Sequence, residues 1–338
     1  PGTLEGADGH FFHRRQLLFL LQMALLYCKE SAAEHSPEVA RQQVGRCCLM
    51  VNDLLGQIEL EQAGPLPDAE DALHWSVALA ISFMDVHWSQ EAIGRADLFW
   101  SELQGVDGGV ARGELDAVFS QRYGLVLDRF TNILLLFYCT LLKHSLRTPP
   151  SPLLFESPRM FGGHFPEEEL SLALGLVSNT VEELAARLLA TTRHSWANDF
   201  SPLERRPVIE VLPGRYACPD LGLLRRFFEH GVRELLVEAY PVGRFKERFG
   251  HLFERYLARL LGEAFPNSSL LAKVFHRKVR FDARKTDQAC DGLLCWPTFA
   301  VVLEYKASTL TGRQRFATRV DETVQGVNQM LAADDDKK

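Results

Sequence analysis

The segment FAVVLEYKA, Phe299 to Ala307, restricts the possible folds more than any other stretch. Successive side chains of an extended strand point to opposite faces. Phe299, Val301, Leu303 and Tyr305 therefore share one face, and Ala300, Val302, Glu304 and Lys306 share the other. Both faces are apolar until the end, where a carboxylate and an ammonium emerge together. A strand of this kind belongs in a layered sheet with helices packed on it. An isolated buried charge is costly, so Glu304 and Lys306 must be paired, hydrated at the end of the sheet, or bound to an ion.

The flanking sequence supplies such a sheet. Periodicity predicts helices over Leu221–Ala239 and Gly243–Phe265, strands over Lys273–Phe281, Ala289–Cys295 and Phe299–Ala307, and a last helix over Ala317–Ala332. Asp291 opens DGLLC, which joins the next strand through the Trp296-Pro297-Thr298 turn. Antiparallel partners begin where the other finishes, so a hairpin here brings the Asp291 end near the Glu304 end. Upstream, PVIEVLPGRYACP reads as a hairpin turning at Pro213-Gly214.

Residues 12–194 read as helix after helix. Ser36-Pro37-Glu38 starts one with a cap residue, a proline at the first helical position and an acid in the first turn. Asp68–Trp88, Gly113–Tyr123, Val126–His144 and Pro166–Arg193 have the same apolar period, with no strand-like alternation. The glycine-rich stretch GVDGGVARG (Gly105–Gly113) lacks the Gly-Lys-Ser/Thr ending of a phosphate loop and reads as a turn. The expectation is a multidomain chain: an all-α domain over 1–200, then an α/β domain with a mixed sheet over 207–338. By position, the helical domain is a recognition, regulatory or oligomerisation module, with a protein partner or a second copy as its target.

Composition narrows the partners. With 338 residues, 46% of them hydrophobic, the chain buries a substantial core, and its net charge of −7 excludes a general polycation. From Leu270 to Val320, however, ten Lys/Arg stand against four Asp/Glu. That local patch, with Arg277, Lys278, Arg280, Arg284, Lys285, Arg313 and Arg315, suits a phosphate backbone. The seven cysteines are odd in number and contain no Cys-x-x-Cys, which argues against a disulfide framework or a zinc site and for a reducing cytoplasm. The apolar run NILLLFYCTLL is too short for a bilayer of about 30 Å, and HRRQLLFLLQMALLYC reads as a buried helix, so no membrane partner is expected.

Asp291, a short spacer, then apolar-apolar-Glu304-Tyr305-Lys306, flanked by a helix on each side, resembles the PD-(D/E)XK nuclease superfamily, the restriction-endonuclease-like fold. The resemblance covers about Gly243 to Ala332. It implies hydrolysis of DNA phosphodiester bonds dependent on Mg²⁺ (or Mn²⁺), in bacterial restriction, phage defence or repair. It further implies Asp291 and Glu304 as metal ligands and Lys306 as the residue that orients and helps deprotonate the attacking water. Glu254, with Gly250 and Ala258 one turn to either side, is the auxiliary acid from the first core helix, and Glu247 is its weaker alternative. Gln325 or Gln329 supplies the polar residue of the last helix. RNA as substrate, or a non-catalytic binding scaffold, are the alternatives. The family core continues beyond the last helix, whereas this sequence ends in ADDDKK. A domain truncated at its C-terminus, or a sheet borrowing Val208–Leu212, is therefore expected.

Overall fold

The computed structural model describes residues 5–6, 9–10, 14–27, 36, 38–40, 42–47, 50–51, 54, 91–105, 110–145, 154–156, 163–190, 200–241, 244–264, 275–280, 288–296, 298–303 and 305. Helices predominate among them. Contacts group the chain into two compact units: Pro1–Ala92, Arg129–Val232 and Leu310–Lys338 in the first, Ile93–Asp128 and Arg233–Thr309 in the second. Each unit is assembled from separated stretches of the chain. The helices expected over 68–88 and 317–332 lie outside the described residues.

In the first unit, strands β1 (Glu5–Gly6) and β2 (Gly9–His10) form a small antiparallel pair. Strands β3 (Leu154–Glu156), β4 (Ser178–Thr180), β5 (Val208–Leu212) and β6 (Arg215–Ala217) make a sheet in the order β3-β6-β5-β4, with β4 and β5 parallel. This corrects the all-α expectation for residues 1–200, because β3 and β4 lie inside that stretch. It also splits the helix expected over 166–193 into Glu167–Val177 and Val181–Ala190. The break has a local cause. Ser178 turns its hydroxyl back to the Leu174 carbonyl at 2.7 Å. The Glu183 N–H then donates to Thr180 Oγ1 and the Thr180 N–H to Glu183 Oε2, each at 3.1 Å, a reciprocal cap that starts a new helix.

The β5–β6 hairpin forms where Pro213-Gly214 predicts it. Gly214 takes φ 73°, and its N–H donates to Glu210 Oε1 at 2.9 Å. Since β5 has β4 and β6 as neighbours, it is not lent to the C-terminal strands, and the borrowed-strand expectation falls. Val208 and Ile209, on opposite faces of β5, are both buried, so this sheet is covered on both sides. Ile209 packs with Leu18, Leu184, Leu188, Leu203 and Leu223, while Phe155 of β3 stacks on Tyr216 of β6 and meets Phe137. Ser36 caps as expected, accepting from the Val39 N–H on its hydroxyl. Helix Leu221–Arg226 widens to a π-turn at Phe227–Gly231.

In the second unit, the helix that ends at Asp97 runs on into a π-turn, Leu98–Glu102, and a further helix spans Glu114–Tyr123. The 21-residue helix Arg244–Ala264 lays an aromatic stripe against that π-turn. Phe99 stacks on Phe249 at 5.7 Å and meets Tyr256 at 4.8 Å. Arg255, buried, donates to the Leu103 carbonyl at 2.7 Å, a group left over at the end of the π-turn. Tyr240 donates to Glu114 Oε1 at 3.2 Å; burial first, then this carboxylate, pushes the phenol pKa up.

Strands β7 (Phe275–Arg280), β8 (Gln288–Cys295) and β9 (Ala300–Leu303) form a second sheet in that order. Both of its pairings are antiparallel, so the mixed sheet expected here is instead a meander, and the mixed sheet belongs to the first unit. Among the described residues no single helix is long and apolar enough to cross a membrane.

Candidate functional site

The hairpin β8–β9 closes as the sequence predicts. The Trp296 N–H donates to the Phe299 carbonyl at 2.8 Å, and the two rings stack with centroids 4.7 Å apart. The strands pair Cys295 with Ala300, Leu294 with Val301, Leu293 with Val302 and Gly292 with Leu303. Directly opposed residues share a face, so Ala300 and Val302 lie with Leu293, Cys295 and, by alternation, Asp291. Just past the last pair, Asp291 Oδ2 accepts a hydrogen bond from the backbone N–H of Tyr305 at 2.6 Å. The aspartate, in the middle of β8 rather than at its start, thereby ties that strand to the backbone position between 304 and 306.

Strand β7 lies on the other side of β8. It pairs Phe275 with Leu294, His276 with Leu293, Arg277 with Gly292 and Val279 with Cys290; a bulge then shifts Arg280 to Gln288. Between the last two regular pairs Lys278 stands opposite Asp291. Lys278 and His276 are thus on the face that carries Asp291, and Arg277 is on the other. Cover does not separate the two faces: Cys290 is buried and Asp291 half-buried, but Phe299 and Val301 on the face of Cys290 and Val302 on the face of Asp291 are all exposed.

Glu254 is half-buried in the long helix, five residues beyond Phe249 and so about 140° around the axis. It therefore sits away from the aromatic stripe, with Gly250 and Ala258 as expected. A Cβ added at Gly250 would meet nothing within 4 Å, which leaves open space beside the acid. Glu247, the alternative, is exposed. Among the described residues no group of three or more His, Cys, Asp or Glu stands close enough to hold a metal ion. Glu304, Lys306, Gln325, Gln329, Arg284, Lys285, Arg313 and Arg315 lie outside the described residues; for Arg277, Lys278 and Arg280 the strand position alone is described.

Asp291 and Glu254 carry carboxylate oxygens, the donor type that Mg²⁺ and Mn²⁺ take. The sequence treats Tyr305 only as the spacer of Glu-x-Lys, whereas its backbone is the link that holds Asp291. Period-two placement across three strands, rather than two, is the signal that finds Lys278. No protein-family model, curated protein or solved structure matches the chain.

Proposed function

We propose that the chain is a divalent-metal-dependent nuclease of the restriction-endonuclease-like type, hydrolysing phosphodiester bonds in DNA. The observation that carries this reading is the 2.6 Å hydrogen bond from the Tyr305 N–H to Asp291 Oδ2. It supports a shared site because Tyr305 is flanked by Glu304 and Lys306 in the sequence. The last printed pair of the hairpin, Gly292 with Leu303, lies next to Asp291 in β8. In this proposal Asp291 and Glu304 approach each other; two such carboxylates repel, and a cation held between them relieves that repulsion.

In this reading Asp291 and Glu304 hold Mg²⁺ or Mn²⁺, and Glu254 adds an oxygen donor from the helix. The ion, when bound, stabilises negative charge developing on the phosphoryl oxygen. Lys306, two residues past Glu304 in the sequence, orients the attacking water and helps to deprotonate it. The basic stretch between Leu270 and Val320 holds the phosphate backbone electrostatically.

The test is incubation of supercoiled plasmid and of RNA with the wild type, Asp291→Asn and Lys306→Ala, in Mg²⁺, Mn²⁺ or chelator. Asn keeps an acceptor for the Tyr305 N–H, so folding is preserved while a ligand charge is removed. The reading predicts DNA cleavage that requires metal and is lost in both variants with unchanged circular dichroism. Wild-type protein inert toward DNA in both metals refutes it, and cleavage confined to RNA reassigns the substrate.

A further inference from the structure

The sheet divides the basic positions of β7. Counted along the sequence, Arg277 and Lys278 belong to one patch, yet they are neighbours on a strand and so lie on opposite faces. Lys278 is opposite Asp291, on the middle strand, and directly opposed positions in an antiparallel pair are about 5 Å apart. Arg277 is opposite Gly292, on the face that does not carry Asp291. The register of β7 on β8 selects the Lys278 face.

We propose that Lys278, opposite Asp291 and on its face of β7, holds a phosphate of the DNA beside the metal-binding carboxylates, and that Arg277 contributes no contact to it. This inference rests on the nuclease reading above. A lysine at this position is a point charge with three donors, suited to a backbone phosphate and blind to base identity. The preceding residue on the same face, His276, is one pair further from Asp291 and opposite the apolar Leu293.

The pair Lys278→Ala and Arg277→Ala tests it, because each removes one positive charge and the two differ in face. Binding of a fluorescein-labelled duplex is read by anisotropy in chelator across a salt series, so that no cleavage intervenes. Thermal unfolding of each variant is followed in parallel. Lys278→Ala is expected to weaken binding about tenfold and to lower the slope of log K against log salt by about 1. Arg277→Ala should change binding less than about twofold, and Lys278→Arg should restore affinity while the fold persists. Wild-type affinity in Lys278→Ala, or an equal loss in both variants, overturns the inference and leaves the nuclease reading standing. A wild type that binds no duplex overturns both.

Discussion

Replacing Gly231 by alanine sets helix propensity against packing, and the structure decides the sign. Gly231 closes the π-turn Phe227–Gly231 and is buried. A Cβ built on it would lie 2.0 Å and 2.3 Å from two ring atoms of Phe227, far inside contact distance. That ring cannot simply swing away, since Phe227 is 0% exposed and packs edge-on against Phe130. Alanine gains about 1 kcal/mol over glycine in helix propensity, but forcing extra volume into a packed core costs about 3 kcal/mol at the upper end of the usual range. The net expectation is destabilisation by about 2 kcal/mol. Gly175, exposed in helix Glu167–Val177 with nothing within 4 Å of its added Cβ, is the control, and there the same change should stabilise by up to about 1 kcal/mol. Urea unfolding followed by far-ultraviolet circular dichroism measures both. The reasoning fails if Gly231→Ala is as stable as the wild type, or shifts in the same direction as Gly175→Ala.

Glu204→Ala removes the carboxylate beside Arg226, whose side chain is 3% exposed against 15% for Glu204. Breaking such a buried pair costs about 3 kcal/mol, readable as a lower urea midpoint, and Glu204→Asp should recover part of it. Cys218 carries a pH dependence of opposite kind. Burial first, then Asp220, pushes its thiol up to about 12, whereas an unfolded cysteine titrates near about 8.5. The folded state therefore keeps the proton that the unfolded state gives up, and stability present below about pH 8.5 is lost as pH rises toward 12. Alkaline unfolding should be less steep in Cys218→Ala than in the wild type; identical profiles would remove Cys218 as a cause.

The parts of the fold that were legible are those with local causes. The β8–β9 hairpin follows from two apolar runs around Trp296-Pro297-Thr298, the β5–β6 hairpin from Pro213-Gly214, and helix Arg244–Ala264 from its amphipathic period. Strand β4 was hidden, because three residues are too few to show alternation and Thr180-Val181-Glu182-Glu183 sits inside an apolar-periodic run. Long-range partners were hidden for a different reason. The Tyr123 hydroxyl donates to the Leu235 carbonyl at 2.9 Å across 112 positions, and Arg255 reaches Leu103 across 152. No local pattern encodes such partners. At the candidate site, the pairing of β8 with β9 was readable from the hairpin, but the meeting of Asp291 with the Tyr305 backbone was not. Nor could a charge count separate Arg277 from Lys278, which needs the register of β7 on β8.

Binding of Mn²⁺, followed by the loss of the free-ion signal in electron paramagnetic resonance, tests the central claim most directly, with wild type and Asp291→Asn compared at equal concentration and equal circular dichroism. The account predicts saturable binding to the wild type that Asp291→Asn weakens by at least about tenfold, as expected when a charged oxygen ligand is replaced by a neutral one. Equal binding by the two proteins, or none by the wild type, would contradict it.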